Sequence, residues 1–485
     1  MARVVVLGAG VAGHTAVMHL RRKLSKAHEV VVVTPNSQWN WIPSNIWVGT
    51  GKMTKEQVLF PLAPLYAKKG VIYHQARAVA IYPEGTADNA SALVEIEYTS
   101  PDRAGEVERI PFDYLINATG PKLKFEATPG LGPDNGYSVS VCTAAHAEHA
   151  SKELAKVIEA ARSGQQQRLI VGMGNGTCTC QGAAFEYAFN VEFELREAGV
   201  RDKCELVYLT NETELGDFGV GGMRFHQDGF MTTSQLWTES IFRERGVKAI
   251  SGAAVKKVVE GGLTYETLDG VEHDLTFDFA MLLPPFSGHP IKAFNKAGED
   301  ITDVVFAPSG FMKVDADYSK TNYEDWSAED WPRTYQNPTY PNMFAAGIAF
   351  APPHAISQPR KSATGTLIAP APPRTGQPSG TIGRAVADTI IDRIKGRNKA
   401  AHEAPMTRMG AACVASTGSS FLSGSAAAMV MYPVVPDWKK YPETGRHPRH
   451  TRGEIGLFGH WIKYMLHHLF IHKAKARPGW TFIPE

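Results

Sequence analysis

Cys178 and Cys180 stand in the stretch GMGNGTCTCQG, residues 172–182, directly after a glycine turn and directly before a helical pattern. A helix N-terminus gathers unpaired N–H groups and the positive end of the backbone dipole, so it stabilises an anion. A thiol placed there is pushed toward thiolate, the nucleophilic form of sulfur. The chemistry to expect is exchange or redox at sulfur. Two residues of separation place Cys178 and Cys180 poorly for a mutual disulfide, so a reactive member needs a distant partner. Cys142, Cys204 and Cys413 are the other thiols in the chain. The plain alternative, a small buried cysteine packed beside glycines, fits Cys178 better than Cys180.

The helix that carries Cys180 belongs to a strand, glycine turn and helix unit, QRLIVGMGNGTCTCQGAAFEYAFNVEFELREAG. An earlier unit, RVVVLGAGVAGHTAVMHLRRKL, has the same order, with Gly8, Gly10 and Gly13 spaced as GxGxxG and a second strand, HEVVVVTP, after it. That context is the one in which the motif binds a dinucleotide: the glycines let the backbone turn and approach a pyrophosphate at the helix end. The second strand ends in Thr34, Pro35 and Asn36 rather than an acidic residue. Thr34 and Asn36 can still hydrogen-bond a ribose, which favours a flavin dinucleotide over NAD. The strand CELVYLT after the cysteine unit also lacks an acidic end, and the cysteines occupy its turn, so NADH is not expected there.

A chain of 485 residues calls for two or three domains. Its 50 Lys and Arg against 49 Asp and Glu give no electrostatic case for a nucleic-acid partner. Five scattered cysteines exclude a disulfide scaffold and paired CxxC zinc knuckles, and no metal site is expected. The opening residues show no basic leader with an apolar core, so export by the general route is not expected. No window reaches 18 consecutive apolar residues, which excludes a spanning helix and leaves surface attachment open.

Two further segments resemble the flavoprotein disulfide reductases with two dinucleotide domains. FDYLINATGPKL, with Thr119 and Gly120, resembles the strand where the first domain meets the second; YPNMFAAGIAF, with Gly347 and Ile348, resembles the second flavin motif. Ile348 stands where that family usually has Asp, which leaves the contact to backbone. SVCTAAHAEHA around Cys142, TCQGAAFEYA around Cys180 and MGAACVASTGSSF around Cys413, together with WIPSNIWVGTGKM near the start, resemble sulfide:quinone oxidoreductase in order and surroundings over essentially the whole chain. The resemblance implies that Cys180 and Cys413 receive sulfide and pass electrons to FAD and then to a membrane quinone, with Cys142 as the third cysteine. It implies flavin contacts at Ser44, Asn45, Thr375, Gly376 and Lys463, and a quinone site at Phe421, Tyr464 and Leu466. Cys204 matches nothing and reads as structural. Asp217 falls where some members carry a proton-handling histidine. Glu186, His146 and His354 are candidate proton carriers, each with a plain reading as a helix-dipole or satisfied polar residue.

The resulting expectation is an α/β fold of two Rossmann-like domains plus a C-terminal amphipathic helix that attaches to a membrane. Residues 1–145 and 300–400 form the FAD domain, residues 146–299 the second domain, and residues 401–485 the C-terminal region. In GLFGHWIKYMLHHLFIHKAKARPGW, apolar Phe458, Trp461, Ile462, Met465 and Leu469 recur at helical spacing among Lys463, His467, Lys473 and Lys475, which suits a helix lying on lipid. The stretch YPETGRHPRHTRGE before it reads as a mobile linker. The enzyme would be peripheral on the bacterial inner membrane, its periplasmic side favoured by resemblance, with a homo-oligomer possible. The rivals are the flavoprotein subunit of flavocytochrome c sulfide dehydrogenase, a type II NADH:quinone dehydrogenase, and a non-catalytic flavin-binding scaffold.

Overall fold

The computed structural model describes residues 1–177, 180–227, 229–372 and 376–485. Its first sheet is built on the apolar strand Arg3–Leu7, which pairs in parallel with Glu29–Thr34 on one side and Tyr114–Asn117 on the other. Ile72–Tyr82 and Met343–Ala345 extend the parallel part outward, and Leu93–Tyr98 and Val107–Pro111 continue it as an antiparallel edge. Val4, Val5, Val6, Leu115 and Ile116 are fully buried, as a parallel strand covered on both faces requires. The late strand Met343–Ala345 brings the chain back beside Tyr114–Asn117, after which the helix Gly376–Ile394 packs along the first helix, Val11–Lys23.

The second sheet is parallel throughout, in the order Lys248–Ile250, Cys204–Leu209, Gln167–Met173, Phe279–Leu283. The helix Gln181–Glu197 follows its central strand. A third, antiparallel sheet of Ala411–Ser416, Ala426–Met431 and Arg452–Gly456 lies against that helix and leads into the last helix, Leu457–Ala474. Two Rossmann-like sheets make the fold α/β, as the strand and glycine-turn pattern predicts.

The expected linker is instead ordered. Arg452–Gly456 is a strand paired with Ala426–Met431, and Arg446 is buried. Its guanidinium donates to the carbonyls of Pro433, Gly222, Val220 and Val434. Composition rich in Pro, Gly, His and Arg reads as a breaker locally. A buried five-donor side chain that finds four carbonyls overrides it. The last helix also corrects the sequence reading: Lys463, His467 and Lys473 are buried on its inner face, not ranged around the edge of an apolar stripe.

Candidate active site

Cys180 is the N-cap of Gln181–Glu197 and has a left-handed backbone, φ 75° and ψ 56°. A non-glycine residue is rare there, and such strain clusters at functional sites. Cys413 comes from the strand Ala411–Ser416, where it faces Met429 in register. A β-carbon added at Gly182 would stand 3.4 Å from the Cys413 Sγ, so this glycine admits the second cysteine to the first turn of the Cys180 helix. Cys142, whose N–H donates to the Ser140 Oγ at 3.1 Å, completes the group, and the charge of Cys180 bears on both Cys142 and Cys413. Cys178 lies outside the described residues.

The expected lowering of the Cys180 thiol is overturned. Burial pushes it up, with the hydrogen bond from the Ala183 backbone and the charge of Lys463 only partly opposing. Burial likewise carries Cys413 to about 12 and Cys142 to about 11. Taking a thiolate out of water costs more here than the helix end returns.

Beneath the cysteines lies a hydrogen-bonded polar group. Lys463 Nζ pairs with the Glu186 carboxylate and donates to the Val414 carbonyl at 2.9 Å. The Ser416 hydroxyl donates to Glu186 at 2.7 Å and accepts from Trp47 Nε1 at 3.0 Å and Asn190 Nδ2 at 2.8 Å. Lys463 also stands 5.8 Å over the Trp47 ring. Trp47, Asn190 and Ser416 escaped the sequence reading. Only the four-residue spacing of Glu186 and Asn190 on one helix face could have flagged them.

The dinucleotide turn has the shape a flavin nucleotide needs. A β-carbon on Gly8, whose φ is 94°, would meet the Ala118 carbonyl oxygen at 2.2 Å, and one on Gly13 would meet the Gly8 oxygen at 2.1 Å. At Gly10 the same atom would point into open space, beside a helix start that carries no side-chain cap. Thr34 is buried at the end of its strand, while Asn36 is exposed. Thr119 turns its N–H and hydroxyl onto Asn117 Oδ1, and Gly120 is left-handed. Gly347 and Ile348 line a cavity with Phe350, Pro378 and Ser379 at the start of Gly376–Ile394. Gly376 and the first helix line a second cavity with Trp39 and Trp41. Thr375 lies outside the described residues. Ser44 is hydrogen-bonded to His467 Nδ1 at 2.8 Å, and Asn45 donates to the Val141 carbonyl at 3.2 Å, tying this loop to the last helix and to the Cys142 turn.

The other candidates separate. His146 faces Asp134 at 3.8 Å and Phe125, and His354 stacks 4.3 Å from Trp326; burial lowers both. Asp217 accepts from the Ser357 hydroxyl and the Gly219 N–H, in a loop that reaches Gln181. Phe421 and Tyr464 meet at a ring separation of 6.5 Å on the exposed side of the last helix, and Leu466 is half-buried on that helix. Cys204 is buried in its strand. Cys204→Ser is expected to keep turnover within about twofold while losing about 1 to 3 kcal/mol of stability by burying a hydroxyl. Steady-state assay and thermal melting check it.

The family model for pyridine nucleotide-disulphide oxidoreductases matches residues 2–213. A sulfide-quinone reductase of Aquifex aeolicus (strain VF5) is 28% identical over 472 residues, 97% of this chain and 91% of the relative. The solved sulfide:quinone oxidoreductase from Aquifex aeolicus superposes with a TM-score of 0.74 at 26% identity, covering 98% of this chain and 92% of that one. NDH2 from Plasmodium falciparum shares the fold at a TM-score of 0.63 and 12% identity, over 99% and 97% of the two chains. In its glycine cradle, its converging cysteines and these likenesses, the chain is similar over nearly its whole length to the sulfide:quinone oxidoreductases of the flavoprotein disulfide reductase superfamily.

Proposed function

We propose that the chain oxidises sulfide to sulfane sulfur at Cys180 and Cys413 and passes two electrons to a quinone. The observation that carries this reading is the meeting of Cys180, from the second sheet, with Cys413, from the C-terminal sheet, above the Glu186 and Lys463 pair. FAD, the cofactor of this family, supplies the two-electron acceptor between sulfur and quinone. Gly8, Gly10, Gly13, Thr34, Thr119, Gly120, Gly347 and Gly376 are the residues that would hold it.

With Cys180 and Cys413 joined, hydrosulfide attacks one sulfur. One S–S bond forms, the bond between the cysteines breaks, one cysteine carries a persulfide and the other a thiolate. Lys463 holds positive charge near that thiolate, and its charge lowers both thiols. Glu186, fixed by Ser416 and Lys463, keeps the lysine from leaving. The left-handed turn at Cys180 and the bare Gly182 keep side-chain bulk out of the space between the sulfurs.

Added to the purified holoenzyme without oxygen, sulfide is expected to bleach the flavin and NADH is not. Bleaching by NADH alone would reverse the order of the two readings. Glu212 lies just beyond the second strand of the cysteine unit, but it is buried and occupied by the Phe218 N–H and Thr210 hydroxyl, so it is not offered to a ribose.

The last helix is polar inside and apolar outside. Gly459, His460, Lys463 and His467 face the protein, while Phe458, Trp461, Met465 and Leu469 are exposed, beside Phe421 and Leu422. No helix of the described residues is long and apolar enough to cross a membrane. An exposed aromatic face of this kind supports attachment to a lipid surface, with the quinone entering along Phe421, Tyr464 and Leu466. The double variant Phe458→Glu, Met465→Glu is expected to weaken vesicle binding by roughly a hundredfold or more, at about 1.5 to 3 kcal/mol per buried side chain. Flotation with liposomes measures this; sulfide bleaching stays at the wild-type rate. Attachment to the bacterial inner membrane on its periplasmic side, assembly as a homo-oligomer, and the division into residues 1–145 with 300–400, 146–299 and 401–485 rest on the family resemblance.

A further inference from the structure

The inner face of the last helix carries four buried polar side chains, His460, Lys463, His467 and Lys473. Three of them are answered: Lys463 by Glu186, His467 by the Ser44 hydroxyl, and Lys473 by the carbonyls of Ile483 and Pro484. His460 differs. It is 2% exposed, and its Nδ1 has no hydrogen-bond partner among the described residues. A buried polar atom left open in the free protein costs stability until something meets it.

Aromatic side chains close around this imidazole. The Trp47 ring stands edge-on to it at 5.9 Å and reaches Tyr464, one helix turn further on, at 6.4 Å. The turn between Ala411–Ser416 and Ala426–Met431 lies against it as well: a β-carbon at Gly424 would stand 3.1 Å from the His460 Cδ2. Phe421, in that turn, meets Trp461 at 5.9 Å and Tyr464 at 6.5 Å, and its carbonyl accepts from Trp461 Nε1 at 2.9 Å. Phe421, Trp461 and Tyr464 are exposed on the outer, apolar side, while the Trp47 ring lies inward, 5.8 Å from Lys463 Nζ. The group therefore runs from the exposed apolar face to the charged pair beneath the cysteines, with the open Nδ1 of His460 inside it.

Such walls suit a ligand that is flat and apolar and carries a hydrogen-bond acceptor at its edge, because rings stack on rings and one well-placed polar atom fixes the orientation. A quinone headgroup has this form. We propose that Trp47, Phe421, Trp461 and Tyr464 receive the quinone ring and that His460 donates a hydrogen bond from Nδ1–H to one of its carbonyl oxygens. The inference rests on the quinone reading above and adds His460, Trp47 and Trp461 to it. Burial, then the charge of Lys463, lowers the imidazole's pKa and favours its neutral form. A neutral imidazole with its hydrogen on Nδ1 is a donor there. The same atom sets specificity, since an acceptor with no carbonyl at its edge leaves the buried Nδ1–H unmet.

The test uses the flavin-loaded protein, reduced anaerobically with sulfide and mixed in a stopped-flow instrument with decylubiquinone. His460→Leu keeps apolar bulk and loses the N–H. The half-saturating quinone concentration for flavin re-oxidation is expected to rise about tenfold, with the rate at saturation changed much less. His460→Asn, whose amide can donate from nearly the same place, is expected to return it to within about threefold of the wild type. Infrared difference spectra with carbonyl-labelled quinone give the second readout: relative to quinone in detergent, one carbonyl stretch is lowered in the wild type and in His460→Asn, and neither is lowered in His460→Leu. A wild-type half-saturation in His460→Leu, a His460→Asn no better than His460→Leu, or wild-type protein that lowers neither carbonyl stretch overturns the proposal, and the last of these needs no variant to fold. Reduced wild-type flavin that decylubiquinone leaves unoxidised overturns the quinone reading instead, so the two failures are distinct.

Discussion

Cys180→Ser and Cys413→Ser each retain FAD and lose sulfide-dependent quinone reduction by at least about a thousandfold, the scale of removing a nucleophile that acts as part of a unit. Neither cysteine belongs to the glycine cradle around Gly8 and Gly13, so flavin content is expected to stay at the wild-type level. Without one sulfur no bond exists for hydrosulfide to break, and no thiolate is left to give electrons. The double variant is expected to be no slower than either single one, because the pair works as one group. Flavin absorbance and steady-state quinone reduction measure both quantities. Wild-type turnover in either single variant would sink the assignment, and an intact Cys204→Ser beside two dead variants would isolate the effect to this pair.

Lys463→Met is expected to destabilise the protein by about 3 to 5 kcal/mol, because it strands the buried Glu186 carboxylate without its cation. Among the described residues, the Ser416 hydroxyl is what remains to satisfy it. Lys463→Met combined with Glu186→Gln should recover much of that loss by removing both charges together. Chemical denaturation of the flavin-bound protein gives the cycle. Additive losses would show that the two side chains do not share an environment. The same pair explains why deletion of the last helix is a poor probe of membrane attachment: cutting before Gly456 would also remove the cation beneath the cysteines. Substitutions confined to the outer face separate the two roles.

The parallel strands, the two glycine turns and the last helix were legible in the sequence because each is decided within a few residues. A continuous run of Val and Leu, followed by a glycine turn and helical spacing, specifies strand, turn and helix wherever the chain goes next. Positions set by long-range packing were not. The stretch before the last helix has a linker's composition, yet Arg446 finds the carbonyls of Gly222 and Val220 more than two hundred residues earlier and is buried. Glu212 was hidden because the strand end was read for an acid facing a ribose. Tertiary packing instead turned that acid inward, onto Phe218 and Thr210.

The sequence by itself determined that a thiol sits at a helix start behind a glycine turn, and its likeness to known enzymes named Cys413 as the partner. Only the tertiary structure decided how that thiol behaves. A helix end favours an anion through a few local N–H groups, and this much is written locally. Desolvation depends on everything packed around the sulfur: the C-terminal sheet brings Cys413 against Gly182, and the last helix brings Lys463 onto Glu186. Those elements close the site to water, so burial reverses the sign that the helix end alone would give, and Lys463 becomes the charge that opposes it.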